Sequence, residues 1–223
     1  MHKTLLVVAM FCSFTSLAQE FSIGLRTGVG KNFYLRKHKY ADFPVNTTWN
    51  KQAYIRYQAK KRIAIEIGAE HYQFKNKHID LHNPEHADWT EITGTTTSSY
   101  IPVYLSFQYD LMGRTLHNKT GCHKNLRSYI GIMFAPVFLT EKSDDKIRNL
   151  VTGTITYSER YYKTTLLTAG FNHTLNYKLT KSLTVFSVIS YRLDLSDAFA
   201  SGWSLPIPYE NQLSFQIGGG YTF

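Results

Sequence analysis

The sequence predicts an all-β fold, an eight-stranded antiparallel up-and-down β-barrel that crosses a membrane. The first observation is the final segment, 213–223, in which apolar side chains alternate with polar residues and glycines. Its apolar members are Leu213, Phe215, Ile217, Tyr221 and Phe223. Successive side chains of a strand point to opposite faces, so this segment has one apolar wall and one polar wall. A transmembrane barrel requires such strands, because its lipid-facing and lumen-facing positions alternate.

The second observation is the N-terminus, which has the features of an export signal. His2 and Lys3 give a basic start, an apolar run follows, and Ser16-Leu17-Ala18 offers small residues before a cleavage site. The apolar run is far shorter than the roughly 20 residues that span a bilayer, so it indicates a cleaved signal peptide. We expect a signal peptide at 1–18 and a mature barrel domain at 19–223.

The third observation is the composition. Aromatic residues make up 15% of the chain, and its 16 tyrosines suit the interfacial belts of membrane barrels. The formal net charge is +9, and the loss of Lys3 with the signal peptide leaves +8. A basic soluble protein that binds nucleic acid is the other interpretation of this charge. The export signal and the scatter of the cations over predicted loops argue against it, so we expect no nucleic-acid partner.

Eight segments have about the nine to eleven residues, or slightly more, that a tilted barrel strand needs. They are Glu20–Leu35, Thr48–Lys60, Arg62–Phe74, Ser98–Asp110, Leu126–Thr140, Tyr162–Lys178, Ser182–Leu195 and Leu213–Phe223. The connections after the second and sixth strands are tight. Those after the first, third, fifth and seventh are predicted to be long polar loops, at about 36–47, 75–97, 141–161 and 196–209. Short turns on one side and long loops on the other are typical of outer-membrane barrels.

The second and third strands form the clearest predicted hairpin. Centring its turn on Lys61 pairs Ala59 with Ile63 on the outer face and sets Arg56 opposite Glu66 inside. This register predicts a continuous lipid-facing surface together with a buried ion pair. The strand 126–140 is apolar on both faces, and its predicted lipid-facing residues are Ile130, Ile132 and Phe134.

The chain resembles the small eight-stranded outer-membrane barrels of the OmpA/OmpX type, particularly the PorT-like variety of Bacteroidota. The resemblance rests on the Ser16–Gln19 junction, the run Gly24–Gly28 in the first strand, and the ending Gly218–Phe223. It implies residence in the outer membrane of a Gram-negative cell, among outer-membrane lipid and lipopolysaccharide. It also implies that Tyr221 and Phe223 form the signal that the barrel assembly machinery recognises. It implies no active-site residue and no cofactor.

Charged residues are predicted to fill the lumen. The alternation directs six of them inward: Arg26, Arg56, Glu66, Glu70, Arg192 and Asp194. An eight-stranded barrel has an interior just wide enough for side chains to fill. Buried charges must pair, since an unpaired one costs several kcal/mol. The sequence therefore predicts a plug of salt bridges and hydrogen bonds in place of a pore or a catalytic centre.

Two features of the predicted loops bear on metal and thiol chemistry. His78 and His82 would share one face if their segment were helical, a possible imidazole pair for zinc or copper. Pro84 argues against a helix that continues to His86. Histidines of polar loops are usually solvated, so we expect no metal site. Cys122 is the single cysteine of the predicted mature chain, so it forms no intramolecular disulfide and is either an ordinary turn residue or a thiol that bonds a partner.

An enzyme is the less favoured interpretation. Some small barrels modify lipid A with a serine or histidine and a carboxylate near the outer rim. Ser190, Arg192 and His173 lie on neighbouring predicted strands, but His173 is predicted to face lipid, away from Ser190. A nucleophile and its base must come within hydrogen-bond reach, and we expect no serine–histidine pair that does so.

The sequence therefore predicts a non-enzymatic role, in envelope integrity or surface interaction, through four long extracellular loops and a possible envelope protein partner. A subunit of a secretion or transport machine is the alternative. The basic run Arg36–Lys39 in the first loop either contacts lipopolysaccharide phosphates or is solvated. Trp49 and Trp203 flank strands and are predicted members of the outer aromatic girdle.

Overall fold

A computed structural model describes residues 20–33, 46–60, 62–82, 89–112, 125–195 and 211–223 of the chain. It contains β1 (Glu20–Phe33), β2 (Asn46–Lys60), β3 (Ile63–His82), β4 (Thr90–Asp110), β5 (Leu126–Asn149), β6 (Ile155–Lys178), β7 (Leu183–Asp194) and β8 (Asn211–Thr222). Each strand pairs with the next in antiparallel fashion, and β8 pairs with β1 to close the ring. The predicted all-β, eight-stranded antiparallel barrel is confirmed. Among the described residues, no helix is long and apolar enough to cross a membrane.

Several predictions fall outside the described ranges and stay predictions. They concern the signal peptide 1–18, the basic run Arg36–Lys39, His86, Cys122 and Trp203.

The strands alternate between an apolar outer wall and a polar interior, as predicted. In β4 the odd-numbered residues from Ile101 to Tyr109 are exposed on the outside, while Tyr104, Ser106 and Gln108 are buried. The predicted facing of β5 is confirmed, because Ile130, Ile132 and Phe134 are all exposed on the outer wall. This arrangement is the reverse of a soluble barrel and matches a wall that contacts lipid.

Four consecutive strands are much longer than the barrel requires. β3, β4, β5 and β6 have 20, 21, 24 and 24 residues, whereas β7 and β8 have 12 each. Their outer halves continue beyond the barrel as a four-stranded sheet, here called the projecting sheet, formed by residues 73–82, 90–99, 140–149 and 155–166. The side of the barrel that carries it lies opposite the tight β2–β3 and β6–β7 turns.

The prediction of long loops at 75–97 and 141–161 is wrong over most of both segments, because the strands continue through them. Both faces of the projecting sheet meet water, so the apolar–polar alternation that marks a strand is absent there. The threonine-rich run Thr90–Ser99 instead favours a strand through its β-branched side chains. At the β5–β6 tip, the Asn149 side chain accepts 2.9 Å bonds from the Val151 and Thr152 amides, and Gly153 takes a φ of 71°.

The β2–β3 hairpin has the predicted register except at its turn. Arg56 lies opposite Glu66, as predicted, but Ile63 pairs with Lys60 and not with Ala59. A register shift between Gln58 and Lys60 inserts one extra residue, which is a β-bulge. The Gln58 amide donates to the carbonyl oxygens of Lys60, at 2.6 Å, and Ile63, at 3.1 Å, and so stabilises the bulge.

The seam between β1 and β8 is rich in glycine and closely packed. A Cβ atom built on Gly28 would lie 2.0 Å from the carbonyl oxygen of Phe215, so only glycine fits there. Gly219, on the outer wall of the same seam, has open space, with its nearest neighbour atom 3.8 Å from such a Cβ.

Candidate functional site

The lower half of the lumen holds a buried ion pair between Arg26 of β1 and Glu66 of β3. The Tyr104 hydroxyl donates a 3.0 Å hydrogen bond to the same Glu66 carboxylate. The Arg26 guanidinium lies 4.4 Å from the ring centroid of Tyr54 and 5.4 Å from that of Phe186. One carboxylate, one phenol and two aromatic faces therefore surround the cation, which suits a charge held away from water.

The upper half of the lumen holds a second network around Glu70. Its carboxylate accepts hydrogen bonds from Arg192 at 2.5 Å, Asn50 at 2.5 Å and Gln216 at 3.0 Å. Arg192 also donates to the Gln212 side chain. Asp194, by contrast, is only half-buried and lines the outer opening of the lumen beside Arg192 and Gln212. Glu70 thus accepts hydrogen bonds from residues of β2, β7 and β8 and links strands on opposite sides of the barrel.

The predicted ion pair of Arg56 with Glu66 is wrong. Although the two residues are opposite each other in register, Glu66 binds Arg26, and the Arg56 guanidinium lies 3.9 Å from the ring centroid of Tyr129. No carboxylate of the described residues lies within 4.0 Å of Arg56. Side chains stand roughly perpendicular to a sheet, so long ones reach across a narrow lumen to another strand instead of pairing along the wall.

The six charged residues and their neighbours leave little space in the lumen. Within the described part of the chain, a cavity of about 40 Å³ lies at the lower mouth, beside Arg127 and Lys178, and one of about 20 Å³ lies at the upper mouth. Each has room for no more than a few water molecules, which matches the side-chain-filled interior of an eight-stranded barrel.

We expect the purified protein to form no porin-like pore. In planar lipid bilayers it will give no single-channel steps of porin size, because the Arg26 and Glu70 networks close the lumen at two levels. A 16-stranded porin recorded under the same conditions is the control. Stable steps of porin size would contradict the plug.

The expectation of no serine–histidine pair within hydrogen-bond reach is wrong. His173 faces outward, as predicted, but its Nε2 lies 2.8 Å from the Oγ of Ser128. His71 Nε2 likewise lies 3.2 Å from Ser99 Oγ, near the outer rim. Ser190 points inward and bonds Ser214 at 2.6 Å. Neither histidine contacts a carboxylate among the described residues, so the third group that orients a catalytic base is absent from both pairs.

Two histidines of the loop predicted after the third strand lie on a strand. His78 and His82 belong to β3, whose extended backbone replaces the helix that would have paired them. Within the described ranges, no three histidine, cysteine, aspartate or glutamate residues come together as metal ligands.

The projecting sheet carries ion pairs on both faces. On the inner face, Arg160 donates to the buried Asp145, with its Nε at 3.1 Å, and Ser143 donates to the same carboxylate at 2.7 Å. On the outer face, Lys142 contacts Glu159 at 2.5 Å. The Lys142 hydrogen bond, followed by one from Tyr161, lowers the pKa of the Glu159 carboxyl. The exposed Lys142–Glu159 pair contributes little to stability.

Among the residues that the structure describes, the outer half of β6 forms a free strand edge. β7 ends where Asp194 pairs with Thr168 and the Leu195 amide donates 2.7 Å to the Leu167 carbonyl. Beyond that point, Ile155–Leu166 pairs only with β5 among the described residues. In an antiparallel strand, alternate residues direct both backbone groups to the same neighbour. The odd-numbered residues of 155–165 therefore direct their N–H and C=O groups away from β5, to a side where no other described strand lies.

Known structures share this fold. No family model matches the sequence, and no curated protein matches it. The structure is similar to Neisserial surface protein A, with a TM-score of 0.52 and 11% identity, over 91% of this chain and 97% of that one. Ail of Yersinia pestis, solved with the heparin analogue sucrose octasulfate, is 12% identical over 92% and 98%, with a TM-score of 0.47. OprG of Pseudomonas aeruginosa is 12% identical, with a TM-score of 0.43, over 91% of this chain and 95% of that one. The chain therefore has the fold of a small outer-membrane β-barrel protein.

Proposed function

We propose that this protein resides in the outer membrane and binds an extended segment of another protein at the free edge of β6. The observation that carries the proposal is the unpaired ladder of N–H and C=O groups along Ile155–Leu166. The filled lumen supports it, because a plugged barrel serves as an anchor for what projects from it. The role is therefore surface interaction, without catalysis or conductance.

The β6 edge lacks several of the usual protections of an exposed strand. Natural proteins block such edges with proline, β-bulges, short strands or charged side chains, because an open edge pairs with other chains. Of these, the β6 edge has only charged side chains, Lys163 among them. Ile155–Leu166 contains no proline, and its register with β5 is uninterrupted. Its tyrosines are strongly exposed: Tyr157 by 76%, Tyr161 by 65% and Tyr162 by 57%. An added strand would gain backbone hydrogen bonds from the edge and side-chain contacts from these rings.

The terminal strand supports a second interaction, with the barrel assembly machinery. Tyr221 and Phe223 both face the outer wall, with ring centroids 5.1 Å apart, and Phe223 is 72% exposed. We retain this aromatic ending as the proposed assembly signal. Membership in a secretion machine, suggested by the PorT-like resemblance, is the alternative function, and co-purification with a large envelope complex would favour it.

A proline variant tests the proposed binding edge. The Lys163 amide points to open space, so Lys163→Pro removes a donor that a partner strand would use and leaves the β5–β6 ladder intact. In a selection of random ten-residue phage-displayed peptides against the protein in lipid nanodiscs, we expect enriched peptides with alternating apolar residues. Their affinity for the Lys163→Pro variant will be at least about tenfold lower, because roughly one neutral hydrogen bond is lost and the proline ring blocks the edge sterically.

The matched control is Lys163→Ala, which removes the same side chain and keeps the amide. Peptides selected on the original protein should bind it unchanged. An equal loss in the alanine and proline variants would show that the side chain and not the edge binds, and equal binding to all three proteins would contradict the proposal outright.

A further inference from the structure

A polar row interrupts the outer wall of the barrel where β1, β2 and β3 run side by side. Thr27, Lys51 and His71 are opposite one another in register and all face outward. The equivalent outward position on β8 is the apolar Ile217. Trp49 is 59% exposed and lies beyond Lys51 toward the projecting sheet. The row therefore lies on the lipid side of an aromatic residue that suits the outer interface.

Lys51 has no counter-charge among the described residues. None of their carboxylates forms an ion pair with its ammonium within 4.0 Å. Cations on a lipid-facing wall are costly, and they persist where they reach the interface or meet an anion. An unpaired ammonium at this depth points to an anionic partner that the membrane supplies.

Below the polar row, the wall is hollowed out by small residues. Leu25, Ala53 and Ala69 form the next row toward the membrane centre, and Gly219 follows on the other side of Leu25. The depression over Ala53 and Ala69 measures about 610 Å³ and reaches Thr27, Lys51 and His71 at its upper end. A second depression of about 720 Å³ adjoins it across Leu25 and Ala53 and extends over Gly219.

Leu25 separates the two depressions as a ridge. It is 69% exposed, more than Ile101 at 44% or Ile217 at 56%, which also line the first depression. Both depressions are open toward the membrane, as grooves for hydrocarbon chains must be. One apolar depression beneath a cation, with a second beside it, matches a molecule with more than one hydrocarbon chain and a phosphorylated head.

We infer that this wall of the barrel is a binding site for a phosphorylated, acylated glycolipid of the outer leaflet, such as the lipid A part of lipopolysaccharide. The acyl chains fill the depressions on either side of Leu25. The Lys51 ammonium and the His71 ring donate to a phosphate through charge-assisted hydrogen bonds, and the Ser99 hydroxyl, 3.2 Å from His71, adds a donor for a sugar. The inference rests on the proposed outer-membrane location, because only that leaflet presents such a lipid to the rim below the projecting sheet.

Native mass spectrometry of the intact protein in detergent tests the site. The probes are diphosphorylated lipid A, its dephosphorylated form and phosphatidylethanolamine, each added at increasing concentration. We expect lipid A to be retained best. Lys51→Ala will weaken its retention about tenfold, the scale of one charge-assisted hydrogen bond, and will leave the dephosphorylated lipid unaffected.

Matched variants separate a specific site from general lipid contact. Ala53→Leu with Ala69→Leu fills the depression and should reduce retention of both lipid A forms. Ala169→Leu makes one such change on the outer wall between Phe134 and Leu193, on the opposite side, and should change nothing. Lys146→Ala removes an exposed cation of the projecting sheet and is the charge control. A heat-dependent shift in electrophoretic mobility checks that every variant folds.

Unchanged lipid A retention in Lys51→Ala, or equal effects of the Ala53/Ala69 and Ala169 variants, would overturn the site. This outcome is distinct from a failure of the proposed function. The measurement is made in detergent and needs neither the β6 edge nor a protein partner. Lipid A can therefore bind when the peptide selection fails, and peptides can bind when lipid A does not.

Discussion

Glu66→Ala will destabilise the folded barrel by about 3–5 kcal/mol, the usual cost of breaking a buried ion pair. The variant leaves Arg26 in the lumen without its carboxylate and removes the acceptor of the Tyr104 hydroxyl. Arg26 is only 5% exposed, so water does not replace the lost partner. Urea unfolding in lipid vesicles, followed by tryptophan fluorescence, measures the change in the free energy of unfolding.

The double variant Arg26→Met/Glu66→Leu is the informative control. It removes both charges and fills their space with apolar side chains. Its free energy of unfolding should therefore lie within about 1–2 kcal/mol of that of the original protein, or be higher. Lys142→Ala, which breaks an exposed pair on the projecting sheet, should have no measurable effect. A loss in Glu66→Ala no larger than that of Lys142→Ala would show that the buried pair is not a source of stability.

Gly28→Ala will destabilise the barrel by about 3 kcal/mol or prevent closure, at the upper end of overpacking effects. Its new methyl group would lie 2.0 Å from the Phe215 carbonyl oxygen, and a backbone atom of a paired strand moves only if the β1–β8 seam opens. Alanine is otherwise favoured over glycine within a strand by roughly 0.5–1 kcal/mol, so a loss reports the clash itself.

Gly219→Ala is the matched substitution on the same seam. A Cβ there meets nothing nearer than 3.8 Å, so the variant should be neutral or slightly more stable in the same urea titration. Equal destabilisation by both variants would mean that the seam responds to the loss of glycine flexibility and not to the close approach at Gly28.

The alternation of side chains was sufficient to predict the strand number, the facing and the β2–β3 register up to its bulge. Ile130, Ile132 and Phe134 could be assigned to the outer wall because a single choice of face makes the whole strand consistent. The same signal failed for 90–99 and 140–149, where both faces are wet and no apolar face marks the strand. The high threonine content of Thr90–Ser99 indicates a strand, but the polarity of the segment favours the interpretation as a loop.

Contacts across the lumen could not be predicted from the sequence, for a different reason. Register specifies which residues are opposite on neighbouring strands, so Arg56 and Glu66 were predicted to pair. A narrow lumen brings together side chains from strands that are not neighbours, and Arg26 of β1 reaches Glu66 of β3 past β2. The depression beside Leu25 was missed likewise, because it depends on small residues from three strands that no single segment reveals.

The bonds to Glu70 also determine when in folding the interior is completed. Its partners Arg192 and Gln216 are 122 and 146 residues away in the chain, and Lys178 is 158 residues from its own partner Glu20. Contacts of such high sequence separation form late and make folding slow, since chain entropy is lost before they are gained. A barrel still open between β1 and β8 therefore leaves the Glu70 carboxylate without Arg192 and Gln216. Neutralisation of this carboxylate and closure of the wall then occur in one kinetic step.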